Sequence, residues 1–368
     1  MTNEDQKEAP EILGIHHITA IAGNPQKNIE FYTGFLGLRL VKLTVNFDDP
    51  TTYHFYYGDG IGNPGTILTF FPWQHMPRGY QGTGQVVTTS FLIAENAIEY
   101  WINRLKSHGI SYTGPTNRFD NDEQVVTFYD PDGMEVELVA HKVAEERTCY
   151  RWTRGPIPKE YATRGFYSAT ISLVGYEHTA SILTKEMGFT KTKHEGSRFR
   201  FEIKNKEYND LIDNNDKNEG KKSKELYTSS PSTIDLVCLP YTKRGIMGVG
   251  SVHHIAWRTL TDESQIRMRK KIISAGLDPT PVIDRTYFHS VYFREPGGVL
   301  FEIATDPPGF TVDQRQEELG QKLLLPAWLE TQRKNLERIL PKVNVPSLDQ
   351  FLNSNDKKST ENDRENLK

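Results

Sequence analysis

The sequence predicts an α+β protein of four βαβββ units, whose strands form two pairs of curled sheets with helices outside. Two distant stretches open with the same three residue types, His16-His17-Ile18 and His253-His254-Ile255. Both continue with an amphipathic helical pattern, a glycine and strand-rich sequence. Two other stretches repeat this order without the histidines. We therefore divide most of the chain into four repeats.

Unit one begins with a short strand, because small and apolar residues flank His16-His17. An amphipathic helix is predicted from Pro25 to Leu36, and Gly37 is placed to end it. Residues 53–57 and 67–71 are rich in aromatic and β-branched side chains, which favour strands. The predicted order of the unit is β-α-β-β-β.

The other three units follow the same order, with Gly109, Gly188 and Gly276 after their helices. In unit two, a first strand is predicted at 86–93, a helix at 95–108 and later strands at 124–129 and 131–138. In unit three, the first strand is predicted at 165–174, the helix at 180–187 and later strands at 198–203 and 233–239. In unit four, the first strand is predicted at 252–257, the helix at 262–275 and later strands at 290–293 and 299–303. The units fall into two regions of the sequence, 12–141 and 163–305.

Three segments lie outside the repeat pattern. Residues 306–345 are predicted to form C-terminal helices, from Gln314 to Leu325 and from Pro326 to Leu340. In the second helix three leucines form one stripe for packing on the core: Leu329, Leu336 and Leu340. Residues 205–224 form a polar excursion inside unit three, and residues 346–368 form a disordered tail.

Composition excludes several classes of function. The 368 residues carry a formal net charge of −4 and no basic block outside one polar loop, so a nucleic-acid partner is not predicted. Cys149 and Cys238 stand alone, which excludes a disulfide framework and a thiolate cluster. No apolar run approaches the roughly 18 residues that a membrane span needs, and the start lacks a signal-peptide pattern. We predict a cytoplasmic protein without a membrane partner; a homo-oligomer is compatible with the sequence.

The His-His pairs suggest a metal site. Successive side chains of a strand point to opposite faces, so one histidine of each pair can face a common ion. Glu302, on the last predicted strand of unit four, adds a carboxylate. Two imidazoles and one carboxylate with open positions form the ligand set of non-haem Fe(II) oxygenases. Ordinary core histidines and a buried acid are the alternative, but their matched places in two repeats favour the metal site.

Units two and three act as a control for this interpretation. They carry Thr88-Thr89-Ser90 and Tyr167-Ser168 where the other units carry histidine. Glu137 aligns with Glu302 but has no histidines beside it, so a structural role is predicted for it. We therefore expect one metal site per chain, assembled from units one and four, which should pack together.

Six motifs run in order along residues 13–326: Gly14-Ile15-His16-His17-Ile18-Thr19, Phe35-Leu36-Gly37-Leu38-Arg39-Leu40-Val41-Lys42, Gly62-Asn63-Pro64-Gly65-Thr66, Thr163-Arg164-Gly165-Phe166, His253-His254-Ile255-Ala256 and Pro296-Gly297-Gly298-Val299-Leu300-Phe301-Glu302. With them the chain resembles the vicinal oxygen chelate superfamily of glyoxalases, bleomycin resistance proteins and extradiol dioxygenases. It most resembles the hydroquinone-type ring-cleaving dioxygenases of that superfamily.

The resemblance implies that the second histidine of each pair is the ligand, so that His17, His254 and Glu302 bind the metal. The implied cofactor is Fe(II), with Mn(II) as the alternative. The implied substrates are O2 and a small dihydroxylated aromatic compound, a hydroquinone. On this basis the chain is expected to be a dioxygenase of the glyoxalase/extradiol dioxygenase fold.

The resemblance also implies roles around the metal for five further residues: His16, Thr19, His253, Arg285 and Tyr292. His16 and His253 are expected to move protons rather than bind metal. Arg285 and Tyr292 are expected to hold the substrate. An ion pair with Asp284 or another acid is the alternative for Arg285, and core packing is the alternative for Tyr292.

Three other functions stay open at this stage. A catechol extradiol dioxygenase shares all of the chemistry. A glyoxalase-like isomerase or lyase would add a fourth protein ligand, and alignment places Thr69, a poor ligand, at that position. A quinone-binding resistance protein would need no metal. The connection between Arg285 and Tyr287 is shorter than in the most similar members, which leaves the ring substituents open.

Overall fold

The chain folds around two eight-stranded sheets that together contain the four predicted units. The structure is a computed structural model that describes residues 11–203 and 231–347. The predicted polar excursion at 205–224 and nearly all of the predicted tail, residues 348–368, lie outside the described residues. Within the described part, no helix has the length and the apolar character that a membrane crossing needs.

The bounds of the elements follow the predicted repeat. Unit one contains β1 Gly14–Ala22, α1 Pro25–Ile29, a π-helical continuation Glu30–Phe35, β2 Arg39–Val45, β3 Tyr53–Gly58 and β4 Ile67–Pro72. Unit two contains β5 Gln85–Ile93, a 3-10 turn Glu95–Ala97, α2 Ile98–Ser107, β6 Tyr112–Arg118, β7 Glu123–Tyr129 and β8 Glu135–Ala140. Unit three contains β9 Phe166–Leu173, α3 Glu177–Lys185, β10 Thr190–Glu195, β11 Arg198–Glu202 and β12 Thr233–Cys238. Unit four contains β13 Val252–Thr259, α4 Asp262–Ser274, β14 Ile283–Asp284, β15 Phe288–Arg294 and β16 Leu300–Pro308.

The helices of units one, two and four begin where the sequence predicts, counting the 3-10 turn before α2, whereas the helix of unit three begins earlier, at Glu177 rather than at the predicted Ala180. The Asn24 side chain accepts a hydrogen bond from the Lys27 amide at the start of α1, and Thr261 forms a capping box at the start of α4. The glycine after each of the four helices has a positive φ, between 65° and 81°. A side chain with a Cβ atom is strained in that region, which is why glycine ends each helix.

The sheets join units that are distant in sequence. One sheet has the order β14-β15-β16-β13-β1-β4-β3-β2 and so joins units four and one. The other has the order β10-β11-β12-β9-β5-β8-β7-β6 and joins units three and two. The predicted packing of unit one on unit four is therefore confirmed. The boundaries of the two sequence regions, 12–141 and 163–305, stay predictions.

The C-terminal segment differs from one of the two predicted helices. The helix predicted from Gln314 to Leu325 is wrong, because that stretch holds only a short 3-10 turn. The buried Lys42 ammonium binds side-chain oxygens of Asp313 and Gln314, at 2.6 and 3.1 Å, and draws the segment along β2. The second prediction holds better: a 3-10 turn, Ala327–Gln332, leads into α5, Arg333–Ile339. The stripe formed by Leu329, Leu336 and Leu340 is buried, as predicted.

Candidate metal centre

Three predicted ligands converge at the centre of the first sheet. His17 on β1, His254 on the adjacent β13 and Glu302 on β16 are all buried. The Nε2 atoms of the two histidines are 3.2 Å apart. The Oε2 atom of Glu302 lies 3.1 Å from Nε2 of His17 and 3.0 Å from Nε2 of His254. The three potential donor atoms thus form a nearly equilateral triangle.

This triangle fits a divalent cation. Ligand atoms at about 2.1 Å from an ion and at right angles to each other are about 3.0 Å apart. The Oε1 atom of Glu302 accepts a hydrogen bond from the Ser290 hydroxyl at 2.5 Å, whereas the buried Oε2 atom has no donor in hydrogen-bond geometry. Since both histidine nitrogens are nevertheless close to Oε2, a shared cation explains the arrangement better than hydrogen bonding does.

The pKa shifts favour the ligand forms of these side chains. Burial lowers the pKa of His254, and Glu302 opposes this only in part. Burial alone would raise the pKa of Glu302, but the imidazoles of His17 and His254 hold it well below its usual range. At neutral pH the site therefore presents a neutral imidazole and a carboxylate, which are the forms that bind a metal ion.

The first histidine of each pair sits on a β-bulge. Between Ile15 and His17, β1 has one residue more than its partner strand β13, and that residue is His16. His253 is the corresponding extra residue of β13. Bulges in the second sheet fall at the matching residues Val87 and Tyr167, so the bulge belongs to the fold. A bulge re-aims a side chain.

Because of the bulges, the first histidine of each pair lies beside the Nδ1 atom of the second histidine, which is the ring nitrogen outside the triad. Nδ1 of His16 lies 2.9 Å from Nδ1 of His17, and Nδ1 of His253 lies 2.8 Å from Nδ1 of His254. A histidine that binds a metal through Nε2 carries a proton on Nδ1 and donates it to a neighbouring acceptor. His16 and His253 can supply that acceptor and so hold the two ligand rings in place.

The triad opens into a cavity of about 350 Å³ with mainly aromatic walls. Four of the five residues with implied roles line it together with the ligand histidines: Thr19, His253, Arg285 and Tyr292. His16 does not line this cavity. It lines a second cavity of about 290 Å³ beside Arg258 and Asp306, on the other side of Phe288. The two bulge histidines therefore face different spaces.

The comparisons with known proteins agree with this arrangement. A sequence model of the glyoxalase/bleomycin resistance protein/dioxygenase superfamily matches residues 14–138 and 176–303. The chain belongs to this superfamily. It is 43% identical to the "Putative ring-cleaving dioxygenase MhqO" of Bacillus subtilis over 341 residues, which cover 93% of this chain and 100% of the relative.

Two further members extend the comparison. The chlorohydroquinone/hydroquinone 1,2-dioxygenase of Sphingobium indicum is 29% identical over 340 residues, which cover 90% of this chain and 98% of that protein. A crystal structure of a putative dioxygenase from Bacillus subtilis has a TM-score of 0.81 and 42% identity, and covers 92% of this chain and 100% of its own. The superfamily fold predicted from the sequence is therefore confirmed.

Arg285 and Tyr292 meet over the triad. Tyr292 is paired with Glu302 across β15 and β16, and its ring centre is 5.6 Å from that of His254. The guanidinium of Arg285 lies over the Tyr292 ring, 5.5 Å from its centre. The acid that pairs with Arg285 is Asp48 of unit one, at 3.0 Å. Asp284, which was one predicted partner, instead accepts a hydrogen bond from the backbone of Thr286.

The sequence did not point to His54, which also lines the cavity. Its Nε2 atom lies 2.9 Å from the hydroxyl of Thr69, which in turn lies 2.9 Å from the hydroxyl of Thr19. Thr69 pairs with Thr19 in the same register in which Glu302 pairs with Ala256. The predicted alignment of Thr69 with Glu302 is therefore confirmed. At this position, which corresponds to that of Glu302, the side chains of Thr69, Thr19 and His54 are hydrogen-bonded to each other. The only sequence signal for His54 was the alternation that places it on the same face of β3 as Tyr56.

The second sheet has arginine side chains where the first has the triad. Glu137 pairs with Ser90 in the register of Glu302, and it forms an ion pair with Arg118. Asp235, at the matching position of unit three, accepts hydrogen bonds from Arg198 and Arg200. Fixed cations thus neutralise both acids. This half of the superfamily fold has the predicted structural carboxylate at Glu137.

Proposed function

We propose that this chain is an Fe(II)-dependent ring-cleaving dioxygenase that uses O2 to open a dihydroxylated aromatic ring of the hydroquinone type. The observation that carries the proposal is a triad of two imidazoles and one carboxylate whose remaining side opens into an aromatic cavity. This ligand set leaves positions for a substrate and for O2. The names of the relatives from Bacillus subtilis and Sphingobium indicum support ring cleavage and a hydroquinone substrate.

In the proposal His17, His254 and Glu302 hold the ion. When bound, a ferrous ion supplies Lewis-acid and one-electron redox chemistry at this point. The flat ring packs between the aromatic walls, which include Phe71 and Phe288. These walls exclude water from the ring during the reaction.

The hydrogen bonds of the bulge histidines refine their predicted role. If Nδ1 of His254 donates to Nδ1 of His253, then His253 carries its own proton on Nε2 and offers the cavity an N–H group. His253 is then suited to donate a hydrogen bond to a substrate oxygen rather than to act as the base. The Nε2 atom of His54 is hydrogen-bonded to a threonine hydroxyl and not to a ligand histidine. We therefore assign His54 as the base that accepts the proton of the substrate's ring hydroxyl. Burial lowers the pKa of His54 well below its usual range, so the free imidazole is neutral at neutral pH. Its protonated form would need the negative charge of a bound substrate oxygen beside it.

The two bulge histidines are expected to differ on substitution. Changing either His16 or His253 to Ala removes the acceptor for a ligand ring, so the Kd for Fe(II) should rise by about 10- to 100-fold. At saturating Fe(II), only His253→Ala should lose kcat, by about 100-fold, because only His253 faces the cavity and can donate a hydrogen bond to the substrate oxygen. Metal titration and steady-state kinetics measure the two effects separately.

A suitable control for this pair is His289→Ala, since His289 pairs with the surface residue Asp262. Its Kd for Fe(II) should match that of the original protein. Equal losses of kcat in the His16 and His253 variants at saturating metal would contradict the difference we assign to their positions.

The decisive test is O2 uptake after anaerobic reconstitution with Fe(II), against a panel of hydroquinones and catechols. We expect one O2 consumed per ring opened, with para-dihydroxylated rings preferred by kcat/KM. A higher kcat/KM for catechol would assign the chain to the catechol-cleaving enzymes. Turnover of a glutathione hemithioacetal without O2 would overturn the proposal in favour of an isomerase, which the neutral side chain of Thr69 disfavours.

A further inference from the structure

The cavity over the triad contains few fixed charges, and they are arranged unequally. Among its described lining residues, Arg285 is the one Lys or Arg side chain, whereas Asp48 and Asp49 both contribute carboxylates. Asp49 accepts hydrogen bonds from the hydroxyls of Thr51 and Thr52 and from the indole of Trp73. Burial opposes these bonds, but together they hold the pKa of Asp49 below its usual value, so it is charged at neutral pH.

Asp48 neutralises the single guanidinium of the cavity. Its Oδ2 atom lies 3.0 Å from Nη2 of Arg285. The Asp48 side chain is 72% exposed, whereas that of Arg285 is only 18% exposed. The arginine therefore points inward over the Tyr292 ring, and the aspartate covers it from the rim. Because Asp48 is largely exposed, solvent screens this ion pair and it should add little to stability. The pair does change the net charge that a ligand meets beside Arg285.

Both partners are held by structured turns. The backbone amide of Asp48 donates to the side chain of Asn46, and the neighbouring Asn46 amide bonds to the carbonyl of Thr52. Arg285 begins a short turn in which Thr286 has a φ of +70°, a strained value for a β-branched residue. The ion pair thus joins two fixed loops, one from unit one and one from unit four, across the mouth of the cavity.

We infer that Asp48 is a specificity-determining residue that restricts the cavity to uncharged rings by occupying Arg285. This inference rests on the proposed function. A ring that carries a carboxylate would bring a further negative charge beside Asp48 and Asp49, while the cation it needs is already paired. A ring with an apolar or halogen substituent adds no charge beside these carboxylates and can contact the apolar side chains of the lining, including Phe47, Trp73 and Leu300.

The test compares chlorohydroquinone with 2,5-dihydroxybenzoate, a hydroquinone that carries a carboxylate. Dissociation constants come from calorimetry of the Fe(II) protein under nitrogen, and kcat/KM comes from O2 uptake. The unaltered chain should favour chlorohydroquinone by at least about tenfold in both, and Asp48→Asn should shift the ratio toward the benzoate by at least about tenfold. Asp48→Glu should keep the original ratio, because it keeps the charge.

Two further variants guard against indirect effects. In Asp48→Asn with Arg285→Met, the gain for the benzoate should disappear, because the guanidinium that binds the carboxylate is gone. Asp262→Asn breaks a surface pair with His289 and should leave the ratio unchanged. If Asp48→Asn still turns over chlorohydroquinone but leaves the ratio unchanged, the inference about Asp48 is wrong while the proposed function stands. If the reconstituted original chain turns over no ring with O2, the proposed function itself fails.

Discussion

Replacing any one of His17, His254 and Glu302 is expected to empty the metal centre. The variants His17→Ala, His254→Ala and Glu302→Gln each remove one corner of a triangle whose sides measure 3.0 to 3.2 Å. Loss of an outer-shell partner costs about 10- to 100-fold in metal affinity, and loss of a ligand should exceed this. Metal analysis after dialysis should find little iron, and O2 uptake should fall to background. Iron retained by all three variants would reject the site.

The second sheet supplies the matched control, Glu137→Gln. Glu137 occupies the place of Glu302 in unit two and accepts a hydrogen bond from Ser90 of the paired strand β5. Its partner is Arg118 and not a pair of histidines. We expect this variant to lose some stability, because it leaves Arg118 without its buried counter-charge, yet to keep its full iron content.

Replacing Arg200 with Met is expected to give the largest loss of stability in the second sheet. The Arg200 side chain is fully buried and forms ion pairs with Glu123 at 2.7 Å and Asp235 at 2.8 Å. Without it, two buried carboxylates share less positive charge, and breaking such a network costs about 3 to 5 kcal/mol in the free energy of unfolding. Denaturant unfolding measures this loss.

The Arg200→Met substitution should also change how the free energy of unfolding depends on pH. In the original chain the arginines hold the pKa of Asp235 below its usual value although burial raises it, so the stabilisation is present above the unfolded pKa and is lost as pH falls through the lower folded value. In Arg200→Met, only Arg198 would still oppose the effect of burial, so the pKa of Asp235 should rise. The folded variant would then bind more protons than the unfolded one, and its stability should decrease as pH rises from the unfolded carboxylate pKa, about 4, to the raised folded value.

The half-buried residue Arg333 provides the comparison, because its ion pairs with Glu330 and Glu337 are formed with exposed carboxylates. Arg333→Met should cost no more than about 1 kcal/mol. A similar loss in the two arginine variants would mean that the buried network carries no special weight.

Much of the fold followed from the sequence, because each unit repeats strong local signals. The glycines after the helices and the apolar first and last strands were located to within a few residues. The second strand of each unit was not located. These strands are β2, β6, β10 and β14, and all four lie at the ends of the sheets. Strand β10, Thr190–Glu195, is mostly exposed and polar, so it carries little apolar alternation, and β14 has only 2 residues. Strand β2 is the exception, because all of its residues are buried.

The triad was predicted to meet because its members occupy matched places in two repeats. Its surroundings could not be predicted in the same way. Strict alternation along a strand gives no warning of the bulges at His16 and His253, since a bulge depends on the partner strand. The Asp48 to Arg285 pair joins two turns from different units, and neither turn carries a local signal for the other. The prediction of a helix from Gln314 to Leu325 was wrong for a similar reason. The start of that segment is bound by Lys42 of a strand distant in sequence, which local sequence does not reveal.

The position of the triad at the junction of β1 and β13 has a consequence for how the protein is made. His17 and His254 are 237 positions apart in the chain, so a growing polypeptide exposes the β1 edge long before its partner strand has been synthesised. Units two and three can form their own sheet during that interval. Strand β1 of unit one then has an unpaired edge, which is prone to pairing with a wrong strand. In the proposed site, a metal ion can be bound by all three ligands only after Glu302 has emerged. Chains that end before Glu302 therefore lack a complete ligand set, which delays metal binding until units one to three have been synthesised.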